Sequence, residues 1–354
     1  MQNPIDIVPC YSITPSQIVS FSKVMKPISN DDLNGQVFGF PKKLKSLNPS
    51  EANKPSVVRS FHNFDISVNA RRSLKQKINW LYFLSKKKTI KSYSGKTIYN
   101  FRMSFVTLTL PSVQEHPTQQ ITSEILNPFL TYLRKTYKLT NYVWRLEYQQ
   151  NGNVHYHLVT DLYLDYFLIL RHWNHFLNKL GYIDRFTKKM NCFTLSSYFQ
   201  AYFNSDSSKF EIAKQRYAKG VKTKWATPPS VDVKSVIGSK QISNYISKYF
   251  AKRSKYDVNH NSLDNKENSS NMRLWFCSRT LSKLKTVNGV IGDCFVDVVQ
   301  LAKEIPNLRK HFGQYATVYY ISFDQLGIFY KKVIGTILRD YAFSQGYFAK
   351  ASSG

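Results

Sequence analysis

Residues 142–161, YVWRLEYQQNGNVHYHLVTD, constrain the fold more than any other stretch of the chain. Two alternating runs flank an Asn-Gly pair, the pattern of an antiparallel hairpin. A two-residue turn at Asn151 and Gly152 would set Tyr148 against His155 and send Glu147 to the opposite side of the sheet from the histidines. The apolar pattern forbids that register. Trp144 and Leu146 must share a face with Val154, Tyr156 and Leu158, so paired positions must sum to an even number. A three-residue connection of Gln150, Asn151 and Gly152, with Gly152 left-handed as a bulge, satisfies this. It also carries Glu147 onto the face of His155 and His157.

Side chains at i and i+2 of a strand leave one face roughly 6–7 Å apart. Two neutral imidazoles and a carboxylate with open positions suit Mg²⁺ or Mn²⁺ held together with a substrate phosphate. With eight histidines in 354 residues, about 0.2 His-x-His pairs arise by chance. The pair alone therefore also fits an exposed polar strand face. Glu147 in the same register is what favours a site.

Charge points to the substrate. Lys and Arg number 50 against 22 acidic residues, a formal charge of +28. An excess of that size marks a phosphate-backbone binder more than an anionic-membrane or acidic-partner protein. Aromatics make up 15% of the chain, and rings between cations suit unstacked bases of single-stranded nucleic acid. Cys10, Cys192, Cys277 and Cys294 are widely spaced, so neither a zinc ribbon nor a disulfide framework is expected, and a reducing cytosol is. No apolar run approaches a membrane span, and the first residues lack a signal-peptide pattern.

Around the hairpin, residues 1–65 show no periodic core pattern and are expected to be irregular. A basic helix over 69–86, capped by Asn69, presents Arg71, Arg72 and Lys75 and leads into Lys86, Lys87 and Lys88. Its cations read equally as a solvated face or a DNA contact. In FRMSFVTLTLP, Val106, Leu108 and Leu110 point one way and Phe105, Thr107 and Thr109 the other. Residues 118–137 form an amphipathic helix with Ile121, Ile125, Phe129 and Leu133 on one face. A further helix stops at Gly181. Residues 184–230 make a long excursion, SVDVKSV a strand, SKQISNYISKYFAKRSK a helix capped by Ser239, 259–271 a polar loop, and RLWFCS a strand. The order predicts an α+β fold, an antiparallel sheet with helices on one face. The polar face carries Thr107, Thr109, Glu147, His155 and His157.

Tyr245 and Tyr249, one turn apart, share a helix face, and Lys248 and Lys252 each follow a tyrosine by three. Such a tyrosine pair arises about 1.6 times by chance, so alone it fits ordinary packing. His172 and His175 read mainly as a packed or exposed helix face. Lys188, Lys189, Lys214, Arg216, Lys222 and Lys224 read equally as solvated charges and as a grip on DNA. No GxxxxGK[ST] occurs, so no helicase is expected on this chain.

FVTLTLP, VHYH and YISKYFAK, in that order, resemble the three motifs of the HUH endonuclease superfamily. Residues 69–285 resemble the replication initiators of microviruses, small single-stranded DNA phages. The resemblance implies a ferredoxin-like (RRM) core over 96–285, with an N-terminal extension over 1–95 and a mixed extension over 286–354. It implies a rolling-circle initiator of the host bacterial cytoplasm that nicks and rejoins origin DNA through a 5′-phosphotyrosine. Tyr245 and Tyr249 would be nucleophiles, assisted by Lys248 and Lys252. His155, His157 and Glu147 would hold Mg²⁺ or Mn²⁺, and Thr107, Thr109, Lys222 and Lys224 would meet DNA. Host polymerase and helicase would be partners, with no membrane. Within the same chemistry, a plasmid initiator, relaxase or transposase is the alternative. Outside it, the alternative is a non-enzymatic single-strand-binding protein.

Overall fold

The structure, a computed structural model, describes residues 6–25, 66–91, 94–95, 97–238, 242, 273–291 and 297–347. The chain divides into two compact units, Met1–His62 with Thr286–Leu338, and Asn63–Lys285 with Arg339–Gly354. Among the described residues no helix is long and apolar enough to cross a membrane.

The larger unit is built on a five-stranded antiparallel sheet of β5 (Met103–Thr109), β6 (Tyr142–Tyr148), β7 (Val154–Thr160), β8 (Val231–Val236) and β9 (Trp275–Cys277), in the order β8-β5-β7-β6-β9. Alternation sends Val106, Leu108, Trp144, Leu146, Val154, Tyr156 and Leu158 to one face, all buried in one apolar cluster. Helix α2 (Thr118–Ile121), one π turn (Thr122–Leu126), α3 (Asn127–Thr136) and α4 (Tyr166–Asn178) contribute the other side of that cluster. Fold class is thus α+β, as the sequence predicts.

The π turn answers a conflict in the sequence. Ile121, Ile125, Phe129 and Leu133 repeat every four residues, so on an unbroken α-helix their face would drift by roughly 120° over that stretch. One widened turn, closed by Asn127 N–H on Thr122 C=O, takes up about one residue of that drift. Pro128 follows immediately, where an α-helical N–H would be missing. All four apolar residues are fully buried, each contributing about 1.5–3 kcal/mol.

Helix α1 (Val68–Leu84) packs beside β6, and its Lys77 ammonium donates to the Ser282 (3.1 Å) and Leu284 carbonyls. Its cap is Ser67, not Asn69: Ser67 Oγ accepts from Ala70 N–H at 3.1 Å. It ends at Leu84 because Ser85 is extended and turns its hydroxyl onto Tyr82 C=O. Between α4 and β8 the excursion is helical: α5 (Tyr182–Asn191), α6 (Leu195–Phe203) and α7 (Phe210–Lys222). They enclose a separate aromatic cluster around Met190, Tyr198 and Ala213. A two-stranded ribbon, β3 (Lys88–Lys91) with β4 (Thr97–Phe101), completes the described strands of this unit.

The smaller unit corrects the reading of the chain start. Residues 6–25 are not irregular; β1 (Asp6–Thr14) and β2 (Gln17–Met25) form a hairpin about Pro15 and Ser16. They are two of the three inner strands of a second antiparallel sheet with β10 (Val287–Val290), β11 (Arg309–Phe312) and β12 (Ala316–Tyr320), in the order β10-β1-β2-β12-β11. Pro9 lies at the end of the β1–β10 ladder, where its C=O still accepts from Ile291 N–H at 2.9 Å and a missing N–H costs least. Ile13 and Ile18, both fully buried, face each other across the hairpin, but their neighbours on the outer sides, Val287 and Tyr319, are about 270 and 300 residues away in sequence, and no local periodicity announces them.

Candidate active site

The connection after β6 has the three-residue form the apolar pattern demands. Gln149 N–H donates to Asn153 C=O and Gly152 N–H to Gln149 C=O, both at 2.9 Å. Gly152 is left-handed at φ 81°. Asn153, itself buried, locks the turn to the segment after β5: its side chain accepts from Gln114 N–H (2.9 Å) and donates to Ser112 C=O (2.8 Å). Glu147 therefore pairs with His155, and Arg145 with His157.

Two cross-strand rows result on the face opposite the helical cluster. One reads Asp232, Thr107, His157, Arg145, Trp275, and the next Thr109, His155, Glu147. The imidazole centroids of His155 and His157 lie 4.7 Å apart. His157, 1% exposed, stacks on Phe105 at 5.6 Å. Its Nε2 is 3.0 Å from Glu147 Oε2 and its Nδ1 3.4 Å from Thr107 Oγ1. Burial pushes the Glu147 carboxyl up, but the His157 hydrogen bond and the neighbouring His157, Arg145 and His155 bring it below the usual range. Burial holds His157 neutral, outweighing the hydrogen bond and charge of Glu147. An ionised carboxylate only accepts, so Nε2 carries the proton and Nδ1 accepts from Thr107.

His155 is held down to about 3, by burial first and then by His157, against the pull of Glu147 and Asp232. It is a neutral imidazole at physiological pH. Its Nε2 is buried without a hydrogen-bond partner, the condition of a donor awaiting an electrophile. As placed, Glu147 and His157 spend their facing atoms on each other. Among the described residues no group of three or more His, Cys, Asp or Glu is placed to hold a metal ion. Two of the three donors, Glu147 and His157, are spaced compatibly with one. Atoms 3.0 Å apart subtend about a right angle at an ion roughly 2.1 Å from each, so an ion can replace the proton that Glu147 and His157 share.

The structure thus brings His155, His157, Glu147 and Thr107 together. Thr109 lies on the same face but commits its hydroxyl to Ser230 C=O at 3.0 Å. Lys222 and Lys224 are exposed at the end of α7, and among the described residues no hydrogen bond or ion pair joins them to the histidine rows. Tyr245, Tyr249, Lys248, Lys252 and the Ser239 cap lie outside the described residues. Ile242, the one described position of that segment, is helical and buried. His172 is a packing residue, bonded through Nε2 to Tyr132 (2.9 Å) and Tyr137 (3.3 Å) hydroxyls. Sequence reading missed Arg145 and Asp232. Asp232 had a signal, since Val231 and Val233 alternate with it and mark its face as the polar one. Arg145 had the same alternation, but a buried cation there ran against its polarity.

Residues 103–254 match the model of a family described as Replication-associated protein ORF2. The matched span begins at β5, contains both histidine rows except Trp275, and runs past Tyr245, Tyr249, Lys248 and Lys252. It supports reading the chain as a replication initiator. No curated protein and no solved structure gives a significant match.

Proposed function

We propose that the chain is a rolling-circle replication initiator of the HUH endonuclease type, acting on the origin of a microvirus-like phage in the bacterial cytoplasm. The observation that carries this is the hairpin register. It sets two neutral histidines and an ionised carboxylate on one sheet face, inside the span that matches a replication-associated family.

In this reading a tyrosine, Tyr245 or Tyr249, attacks a scissile phosphodiester. The Tyr O–P bond forms as the P–O3′ bond breaks, and the phenolic proton ends on the departing 3′-oxygen. The 5′-phosphate stays on the protein, and the free 3′-OH primes a host polymerase working with a host helicase. Attack by a later 3′-OH reverses the exchange without ATP. A divalent ion, Mg²⁺ or Mn²⁺, held by His155, His157 and Glu147, would supply electrophilic stabilisation of the phosphate charge. The chain's own residues fix the site. Glu147, Thr107 and Phe105 hold the His157 ring, and burial keeps both imidazoles unprotonated. Lys248 and Lys252 are the cations that would favour the phenolate.

The test is a covalent adduct. Wild type, a divalent ion and a labelled strand of the phage's own origin should give a denaturation-resistant protein–DNA band. His155→Ala and His157→Ala should lose nicking while retaining binding through distributed cations. Tyr245→Phe and Tyr249→Phe should each keep single-round cleavage and fail in repeated turnover, and the double variant should form no adduct. Absence of an adduct from wild type on every strand of its genome would leave a non-enzymatic single-strand binder.

A further inference from the structure

The helical excursion is a module with its own chemistry. Its core is aromatic: the Tyr198 ring contacts Tyr202, Phe203, Tyr217 and Trp225. Residues 182–226 hold nine Lys and Arg against three acidic residues. The three acids are already engaged: Asp184 with Asn178, Asp206 with Lys209 at 2.6 Å, Glu211 with Lys214 at a loose 3.9 Å.

Helix α7 turns Ala213 and Gly220 inward, with Tyr217 half-buried beside them. At 100° per residue, Lys222 stands diametrically opposite Ala213, with Lys214 roughly 80° to one side and Lys219 roughly 60° to the other. All three are exposed. Among the described residues neither Lys219 nor Lys222 has an ion-pair partner. That outward arc carries no aromatic ring. Tyr217 commits its hydroxyl to Phe193 C=O (2.7 Å), and Phe210, at the helix start, leans on Phe199 (5.1 Å). A single strand is gripped by cations interleaved with stacking rings. A rigid helix about 20 Å long with cations fanned across one side is instead the shape that enters a major groove between two phosphate lips.

We infer that the 182–226 module is a duplex-DNA-binding element that uses Lys214, Lys219 and Lys222 of α7 on the phosphate backbone. It holds double-stranded DNA while the histidine face handles a single strand. This rests on the proposed role in DNA processing, but its test does not use cleavage. A labelled random-sequence duplex two helical turns long, and its single strand, are titrated by fluorescence anisotropy between about 50 and 200 mM salt. For the Lys214→Gln/Lys219→Gln/Lys222→Gln variant, duplex affinity should fall at least about tenfold, and the log–log salt slope should drop by roughly 2 to 3. Single-strand affinity should fall less than about threefold. Lys75→Gln/Lys86→Gln/Lys87→Gln, equal in charge and placed at α1, should leave the duplex slope nearly unchanged.

Unchanged duplex binding, equal losses on duplex and single strand, or equal losses in the two triple variants would each overturn the inference. If the triple variant melts early, Lys222→Gln alone should still lower the slope by about 0.9, and an unaltered slope overturns the inference. A wild type that binds duplex through α7 yet forms no adduct would keep this inference and remove the endonuclease reading.

Discussion

The proton between His157 and Glu147 divides positioning from ligation. As a buried N–H, His157 Nε2 needs an acceptor, and Glu147 supplies it at 3.0 Å. Glu147→Ala orphans that N–H and should cost about 1–3 kcal/mol in a urea melt. Glu147→Gln keeps an acceptor and should melt close to wild type. It lacks the negative charge, however, so Mn²⁺ binding measured by calorimetry should weaken at least about tenfold. If Glu147→Gln binds Mn²⁺ like wild type, Glu147 only orients His157 and is no ligand. The turn that sets this register depends on Gly152 at φ 81°. Gly152→Ala should cost about 1–2 kcal/mol, since a Cβ disfavours that conformation, and Gly152→Asn clearly less.

Elements differ in how plainly they announce themselves. The β6–β7 hairpin is legible because period-two alternation on both sides of an Asn-Gly leaves one register that buries Trp144 and Leu146 together. The excursion is not. Inside α7 the inward positions are Ala213, Tyr217 and Gly220, which carry almost no hydropathy signal, and the apolar mass comes from rings outside it. Gly220 is small for a reason: a Cβ there would stand 2.2 Å from the Trp225 ring, which folds back beneath the helix. Gly220→Ala should therefore expel Trp225 and open the module. Limited proteolysis should cut faster between residues 195 and 226, while hydrogen exchange in β5 and β7 stays slow. Equal protection of the module in the variant would show that Trp225 does not hold it closed. The helix expected over Tyr245 and Tyr249 lies outside the described residues and rests on an i, i+4 pattern and a resemblance. Its chemistry stands on the adduct experiment.

At the level of the whole chain, the second sheet joins residues from both ends of the sequence. Its order, β10-β1-β2-β12-β11, puts both strands of the N-terminal hairpin inside the sheet, with β2 at its centre. Long-range pairing of this kind has a high loop-closure cost and no local signature, which is why residues 6–25 read as irregular from sequence. Deleting residues 1–25 should then do more than remove two strands. It leaves β10 without a described partner strand and β11–β12 as an isolated ribbon, marginal by itself in water. The helix Val298–Glu304, which buries Val298, Val299, Leu301 and Ala302, loses the β2 surface it packs beside. Hydrogen exchange read by mass spectrometry should show fast exchange across residues 287–320 in the deletion variant. Residues 103–109 and 154–160 should keep wild-type protection, because their sheet and apolar cluster lie in the other compact unit. Retained protection over 287–320 would mean that those strands do not need the chain start. Lost protection over 154–160 would mean that the histidine-bearing sheet depends on it.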